Sequence, residues 1–362
     1  MYKTIIVGAG LSGATLARKL ADDGEKVLII DKRNHIGGNV YDYVDSKTNI
    51  RLSKYGAHIF HTNNEYVWKF VNRFSEWINY KHKVLSYVNN QFVPVPVNIT
   101  TVNKLFGLNI KNKSEMNLWL KNNQIISNIE NSKDAALARV GEDLYKLMFE
   151  NYTKKQWDLY PEQLEPSVLE RIPIRNDFNH RYFSDKYEGL PKNGYTSLIE
   201  NMLDHKNIEI KLNEEYNLNK HKAKRLIFTG KIDAYFSDKF GKLEYRSLIF
   251  NYKTYKIKDY QPCAVVNYPS LEYPYTRKID YKQFYNTESN YSIIAEEFST
   301  SNGEEYYPVP TQKNREIYSK YKREAKKLEK ENIFFVGRLA QYKYFNMDQA
   351  ILSALQLYEK IK

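Results

Sequence analysis

The sequence holds a single cysteine, Cys263, in 362 residues. A lone thiol has no disulfide partner and cannot supply a four-cysteine zinc site, and its isolation fits a reducing compartment. Glycine (15) and proline (11) are too sparse for a collagen-like or linker-dominated chain. No apolar run approaches the ~20 residues needed to span a bilayer. The first residues run almost directly into the strand-like Thr4-Ile5-Ile6-Val7, so no basic, apolar, cleavable leader is expected. Together these absences set the expectation of a soluble cytoplasmic protein with no membrane insertion.

What is present is a hydrophobic fraction of 42%, enough at this length for a real core in one large or two to three small domains. The net charge of +12 calls for an acidic partner. The basic residues are dispersed, however. Their densest stretch, Lys320 to Lys330, interleaves Glu with Lys at helical spacing and reads as a solvated helix face. Charge alone is a weak nucleic-acid signal, so no nucleic-acid partner is expected. The 32 tyrosines offer hydroxyls for phosphates and sugars and rings for bases. Any one of them, taken without a motif, is half-buried packing.

The clearest local signal opens the chain. Ile5-Ile6-Val7 reads as a buried strand, followed by Gly8-Ala9-Gly10-Leu11-Ser12-Gly13, a helix with Leu16, Ala17 and Leu20 on one face, and a second strand Val27-Leu28-Ile29-Ile30 ending in Asp31. Gly8 permits the tight turn, Gly10 lets backbone N–H groups approach a pyrophosphate, and Gly13 lets helix and strand pack closely. The helix start, with Ser12, favours phosphate charge, and Asp31 can accept from ribose hydroxyls. Lys32-Arg33-Asn34-His35-Ile36-Gly37-Gly38-Asn39 follows at once. This segment resembles the one that folds over the FAD pyrophosphate in glutathione-reductase and amine-oxidase type enzymes. A nicotinamide dehydrogenase does not need it.

Residues 99 to 178 pattern as helices over 103–108, 114–121, 135–150 and 161–172. From about 243 to 310 short strands are expected at 245–249, 264–268 and 292–295. Near the end, Ile333-Phe334-Phe335-Val336-Gly337-Arg338 reads as a strand ending in Gly-Arg, before a last helix from Met347. The expected fold is α/β: a discontinuous Rossmann-like FAD-binding domain (1–76, 192–240 and 315–362), an inserted helical domain (98–178) and an antiparallel sheet domain (77–97, 179–191 and 241–314).

Several segments resemble the prokaryotic UDP-galactopyranose mutases almost end to end: GAGLSG at the start, Tyr55-Gly56-Ala57-His58-Ile59-Phe60-His61-Thr62, Asn151-Tyr152-Thr153-Lys154-Lys155-Gln156-Trp157, Arg171-Ile172-Pro173-Ile174-Arg175, Tyr275-Thr276-Arg277, and Gly337-Arg338 with Tyr344 and Met347-Asp348. The resemblance implies a reversible, redox-neutral ring contraction of UDP-galactopyranose to UDP-galactofuranose, on FAD that is active when reduced. In that family flavin N5 attacks the sugar C1 and displaces UDP, and O4 then closes on C1. It also implies an external reductant for the flavin and a homodimer. Arg171 and Arg277 match the diphosphate arginines, and Tyr182, Tyr306 and Tyr344 match phosphate- and sugar-contacting tyrosines. Trp157, on a mobile loop, matches the aromatic that positions galactose; Tyr152, Thr153 and Asn267 match uridine contacts. His58 and His61 are assigned to tuning the flavin and placing substrate, not to metal, and no metal is expected. The cofactor set is Gly8, Gly10, Ser12, Gly13, Asp31, Lys32, Arg33, Gly37, Gly38, Asn39, His58, Ile59, Gly337, Arg338, Tyr344, Met347 and Asp348. His82 stands where some members have Asn. UDP-N-acetylgalactosamine as substrate, an amine-oxidase-like FAD oxidoreductase and a silent nucleotide-sugar binder remain as alternatives.

Overall fold

The computed structural model describes residues 2–362. The first apolar run becomes Thr4–Val7, the middle strand of a five-stranded sheet ordered Ile208–Lys211, Val27–Ile30, Thr4–Val7, Arg225–Phe228, Ile333–Phe335. Every pairing in it is parallel. Strands covered on both faces favour continuous β-branched and aliphatic runs, which is how Val27-Leu28-Ile29-Ile30 and Thr4-Ile5-Ile6-Val7 read. Helix Leu11–Asp22 buries Leu16, Ala17 and Leu20, and packs against Met347–Ile361 and Gly194–Leu203. The sheet is therefore assembled from three separated stretches of chain, a discontinuous Rossmann-like unit.

A second, seven-stranded sheet runs Tyr307–Pro308, Tyr245–Tyr255, Ser292–Thr300, Arg277–Asp280, Val265–Asn267, Val84–Val88, Gln91–Val95. It is antiparallel except where Val265–Asn267 lies parallel to Val84–Val88. Tyr245–Tyr255 and Ser292–Thr300 extend well beyond the expected 245–249 and 292–295. Past Leu248 the first of these strands is largely exposed, so no burial alternation marks its continuation. A small antiparallel sheet pairs Phe60–Thr62 and Trp77–Ile78 with Tyr187–Pro191.

The intervening segment is helical, but it is cut differently from its periodicity. Ile99–Phe106 and Lys113–Asn123 start at Asn98 and Asn112, whose side chains accept from backbone N–H groups of the first turn. The expected helix 135–150 begins at Ser132 and breaks at Gly141 (φ 76°), where a Cβ would meet the Asn123 carbonyl oxygen at 2.3 Å. It continues as a π-helical turn, Tyr145–Glu150. The expected helix 161–172 is only the turn Pro161–Gln163 and the short helix Ser167–Glu170. Leu164 is extended there, and Pro166 has no N–H to continue a helix from upstream. Trp157, expected on a loop, instead ends helix Asn151–Trp157, which Asp158 terminates at φ 59°. Among the described residues no helix is long and apolar enough to cross a membrane.

Candidate active site

At the C-terminal edge of the parallel sheet lies a cavity of about 700 Å³, a size suited to a dinucleotide-type ligand. Gly8, Gly10, Ser12, Asp31, Lys32, Arg33, Gly37, Gly38, Asn39, His58, Gly337, Arg338 and Met347 all line it. The glycines at and behind the cavity are required by contact, although Gly13 itself lies outside the lining. A Cβ on Gly13 would stand 1.9 Å from the Gly8 carbonyl oxygen, and one on Gly38 would stand 3.0 Å from Gly10 Cα. The two glycine turns thus pack backbone to backbone and leave the helix start open to a phosphate. Asp31 accepts from the N–H groups of Ala9 (2.8 Å) and Arg33 (2.9 Å), so the carboxylate is held at the strand end with lone pairs left for hydroxyls. Arg33 donates to Asn39 Oδ1 at 2.9 Å, pairs with Glu304 and lies 4.5 Å above the Tyr55 ring. Beside the cavity, Asp348 accepts from Thr62 through one oxygen (2.9 Å), while its other oxygen is buried without a partner. An orphaned acceptor next to a glycine-rich cradle fits a bound group carrying hydroxyls or N–H donors.

The sequence did not single out Thr229, Gly230, Lys231, Glu304 or Glu305, which also line the cavity. Leu226-Ile227-Phe228-Thr229-Gly230 carries a usable signal, a buried run ending in Thr-Gly, as expected where a parallel strand meets a ligand. Ile59 is half-buried and lies outside the cavity.

A group of basic and aromatic side chains, the arginine cleft, gathers around Tyr344 next to the cavity-lining Arg338. Arg171 follows the short helix Ser167–Glu170, and its guanidinium lies 4.1 Å above the Tyr344 ring. Arg338 approaches the same ring at 5.4 Å while donating to the Phe345 and Tyr306 carbonyls. Arg277 begins a strand of the large sheet and donates through Nε to Glu297 at 2.8 Å. Glu297 is fully buried and its other carboxylate oxygen has no partner. Burial pushes the Tyr344 hydroxyl up, but Arg171, then Arg338 and Arg277, outweigh it and hold it below the usual tyrosine value. Burial raises the Tyr152 hydroxyl to about 12 even though Arg277 pulls the other way. Trp157 is buried and faces the Tyr307 and Tyr344 rings at 6.5 and 6.2 Å. Tyr182 neighbours Arg171, whose charge it supports.

Not every expected residue points into this cleft. Tyr306 is buried against Tyr55 and Leu248. The next residue, Tyr307, stacks on Tyr344 at 5.1 Å and faces Arg277 and Arg338. Consecutive residues of a strand point to opposite faces, so of the two tyrosines it is Tyr307 that shares a face with Tyr344. Thr153 is buried at 2% exposure. Asn267 pairs in register with Arg277, and its side-chain oxygen is buried without a partner.

The two histidines separate. His58 lines the cavity and donates from Nδ1 to the Gly56 carbonyl at 2.7 Å. Burial, with help from Arg338, lowers it to about 4, so it is neutral near pH 7 and its Nε2 is a free acceptor. His61 instead bonds Asp185 at 3.0 Å and stacks on Phe183 at 3.7 Å, outside the nucleotide cavity. Among the described residues no three His, Cys, Asp or Glu side chains converge as metal ligands would.

A family model described as UDP-galactopyranose mutase matches residues 147–344, and one described as an NAD(P)-binding Rossmann-like domain matches residues 6–74. A dTDP-fucopyranose mutase of Escherichia coli is 40% identical over 99% of this chain and 99% of its own length. A probable UDP-galactopyranose mutase of Klebsiella pneumoniae is 40% identical over 97% of this chain and 92% of its own. The crystal structure of a reduced UDP-galactopyranose mutase superposes with a TM-score of 0.81 at 15% identity, covering 100% of this chain and 95% of that one. At that identity the superposition speaks for the fold alone. The family match covers the arginine cleft and the Rossmann match covers the glycine cradle, and on these grounds the chain belongs to the UDP-galactopyranose mutase family of flavin-dependent isomerases.

Proposed function

We propose that the protein interconverts UDP-galactopyranose and UDP-galactofuranose, with FAD in the glycine-lined cavity and the UDP-sugar in the arginine cleft. The observation that carries this reading is the convergence of Arg171, Arg277 and Arg338 on Tyr344 beside the cavity that His58 and Arg338 line. Gly8, Gly10, Gly37, Gly38 and the Leu11 helix start would hold the pyrophosphate, and Asp31 a ribose. Reduced FAD, when bound, supplies the nucleophile for the sugar C1 and leaves the reaction redox-neutral overall.

The chain's own residues do the rest. As the C1–O bond breaks, charge gathers on the leaving diphosphate, and the guanidinium groups of Arg171 and Arg277 stabilise it. They also keep UDP bound until the rearranged sugar takes it back. Tyr344, its hydroxyl made more acidic by three guanidinium groups, is a strong neutral donor to a phosphate oxygen. The rings of Trp157, Tyr307 and Tyr344 wall the cleft against water. Neutral His58 offers an acceptor and adds no positive charge where a cationic sugar centre develops.

A second substrate has a specific observation behind it, the end-to-end likeness to the dTDP-fucopyranose mutase. A dTDP-fucose presents the same diphosphate to the arginines, without the sugar O6. The reading also carries an external reductant and a homodimer. The test is chromatography of UDP-galactofuranose after incubation with flavin-loaded protein, with and without dithionite, with dTDP-fucofuranose and UDP-N-acetylgalactosamine in parallel. Conversion to the pyranose only under reduction is the expected result, and the parallel arms rank the sugars. No conversion of any sugar by loaded, reduced protein would overturn the assignment in favour of an oxidoreductase or a silent binder.

A further inference from the structure

Two half-buried cations of the helical segment make no ion pair among the described residues and gather backbone carbonyls instead. Lys155 Nζ donates to the carbonyls of Ser270 (2.9 Å), Tyr273 (3.0 Å) and Tyr275 (2.9 Å), and to that of Tyr268. These four oxygens belong to one turn, which joins Val265–Asn267 to Arg277–Asp280 and is closed by the Tyr268 N–H donating to the Thr276 carbonyl. Asn267 stands at one end of the turn and Arg277 at the other. Arg139 repeats the device. Its Nη1 donates to Leu169 (2.8 Å) and Glu170 (3.0 Å), and its Nη2 to Ile172 (2.6 Å), the carbonyls on either side of Arg171.

Holding a cation partly out of water with no carboxylate bonded to it is costly unless every donor is matched, and Arg139 has only the nearby charge of Glu170 to offset its burial. Here the match is made by carbonyls that a loop would otherwise point to solvent. Burial alone brings Lys155 down to about 8, and burial lowers Arg139 as well. The Lys155 protons all face carbonyls, so this is not an acid or base poised for the cleft. Lys155 also sits on helix Asn151–Trp157, between Tyr152 and Trp157. It therefore ties the aromatic side of the cleft to the turn that carries Arg277.

We propose that Lys155 and Arg139 are positioning residues, each fixing the loop of one cleft arginine, Arg277 and Arg171 respectively, so that together they set the spacing of the diphosphate site. This inference rests on the reading of those arginines as diphosphate ligands.

The test is UDP binding to flavin-loaded protein, measured by equilibrium dialysis, for Lys155→Met, Arg139→Met, Arg171→Ala, Arg277→Ala and the four clamp–arginine pairs. Each clamp variant is expected to keep the flavin spectrum and to weaken UDP binding about tenfold. Combined with Arg277→Ala, Lys155→Met should add less than about twofold, because the residue it positions is gone. Combined with Arg171→Ala it should still cost its full tenfold. Arg139→Met should show the mirror pattern. Lys155→Arg and Arg139→Lys, which keep charge and donors, should restore part of the affinity, and they carry the same cycles if a methionine variant does not fold. Equal, multiplicative losses in all four pairings, or wild-type affinity in the clamp variants, would overturn the clamps and leave the diphosphate reading intact. Unchanged UDP affinity in both Arg171→Ala and Arg277→Ala would instead remove the diphosphate reading and the clamps with it.

Discussion

At the scale of single residues the two cleft arginines are chemically alike and structurally unlike. Arg277 is paired to Glu297, which is fully buried, whereas Arg171 is exposed and lies over an aromatic ring. Truncating either should cost about 2–5 kcal/mol of transition-state stabilisation while leaving flavin bound. Only Arg277→Ala strands a buried carboxylate, so it alone should also lower Tm, and adding Glu297→Gln should recover most of that loss. Melting curves beside kcat/KM check this; equal Tm for the two variants would refute the pairing argument. His82 invites a different test. Burial, then Arg277, hold it down at about 3, and His58 is likewise low. The unfolded chain takes up a proton on each near pH 6.5 and the folded chain does not, so stability is lost as pH falls below that value. His82→Asn should reduce the loss between pH 7 and pH 5 by up to about 2 kcal/mol in urea unfolding. An unchanged slope would mean that His82 protonates freely in the folded protein.

At the scale of elements, the glycine turn and its neighbour show what a sequence makes legible. Gly8, Gly10 and Gly13 stand between two buried runs; the contact Gly13 avoids is local, with the Gly8 carbonyl oxygen, while Gly8 and Gly10 make room for Thr229 and Gly38, so the motif marks positions whose partners it does not name. Gly13→Ala drives a carbon into the Gly8 carbonyl oxygen, and Gly10→Val widens a turn that lies against Gly38. Both are expected to abolish flavin retention, read as the absorbance ratio of the purified protein. Full occupancy in either would show that the cradle tolerates a side chain. The arginines, Trp157 and the dinucleotide strand were equally visible because motif context marks them. What was not visible depends on packing across long separations. Tyr307 rather than Tyr306 faces the cleft because of how a two-residue strand pairs with Tyr245 and Arg246, and no local pattern distinguishes adjacent tyrosines. The helix 161–172 read from periodicity yields to Pro166, and the supposed loop at Trp157 is a helix. The backbone carbonyl of Gln156 at its end accepts from buried Arg246 and from Ser299, both on the large sheet. That tertiary anchor fixes a segment whose polar sequence reads as open.

At the scale of the whole molecule, the nucleotide cavity is where the separated stretches of chain meet. Residues 7–40, 58, 214–235, 304–305 and 337–350 contribute to its walls, and Arg33 of the parallel-sheet unit pairs with Glu304 of the other sheet's connections. A ligand that fills this space bridges contacts that unfolding must break together, so it should stabilise the entire chain and not one lobe. At a hundredfold excess over Kd the linkage is worth about 2.7 kcal/mol. In a chain this long, with its large unfolding entropy, that corresponds to a rise of only about 3–4 °C in a single transition. Protein stripped of flavin and melted with added FAD should show that rise, and NAD at the same concentration should not, because the Arg33-to-Asn39 segment lines the cavity and resembles one that serves FAD and that a nicotinamide enzyme does not need. Two separate transitions, with FAD moving only one, would show that the sheets fold as independent units and that the Arg33–Glu304 contact does not couple them. A rise with NAD equal to that with FAD would mean that the cradle reads the shared adenosine diphosphate alone, and that flavin preference is set elsewhere in the chain.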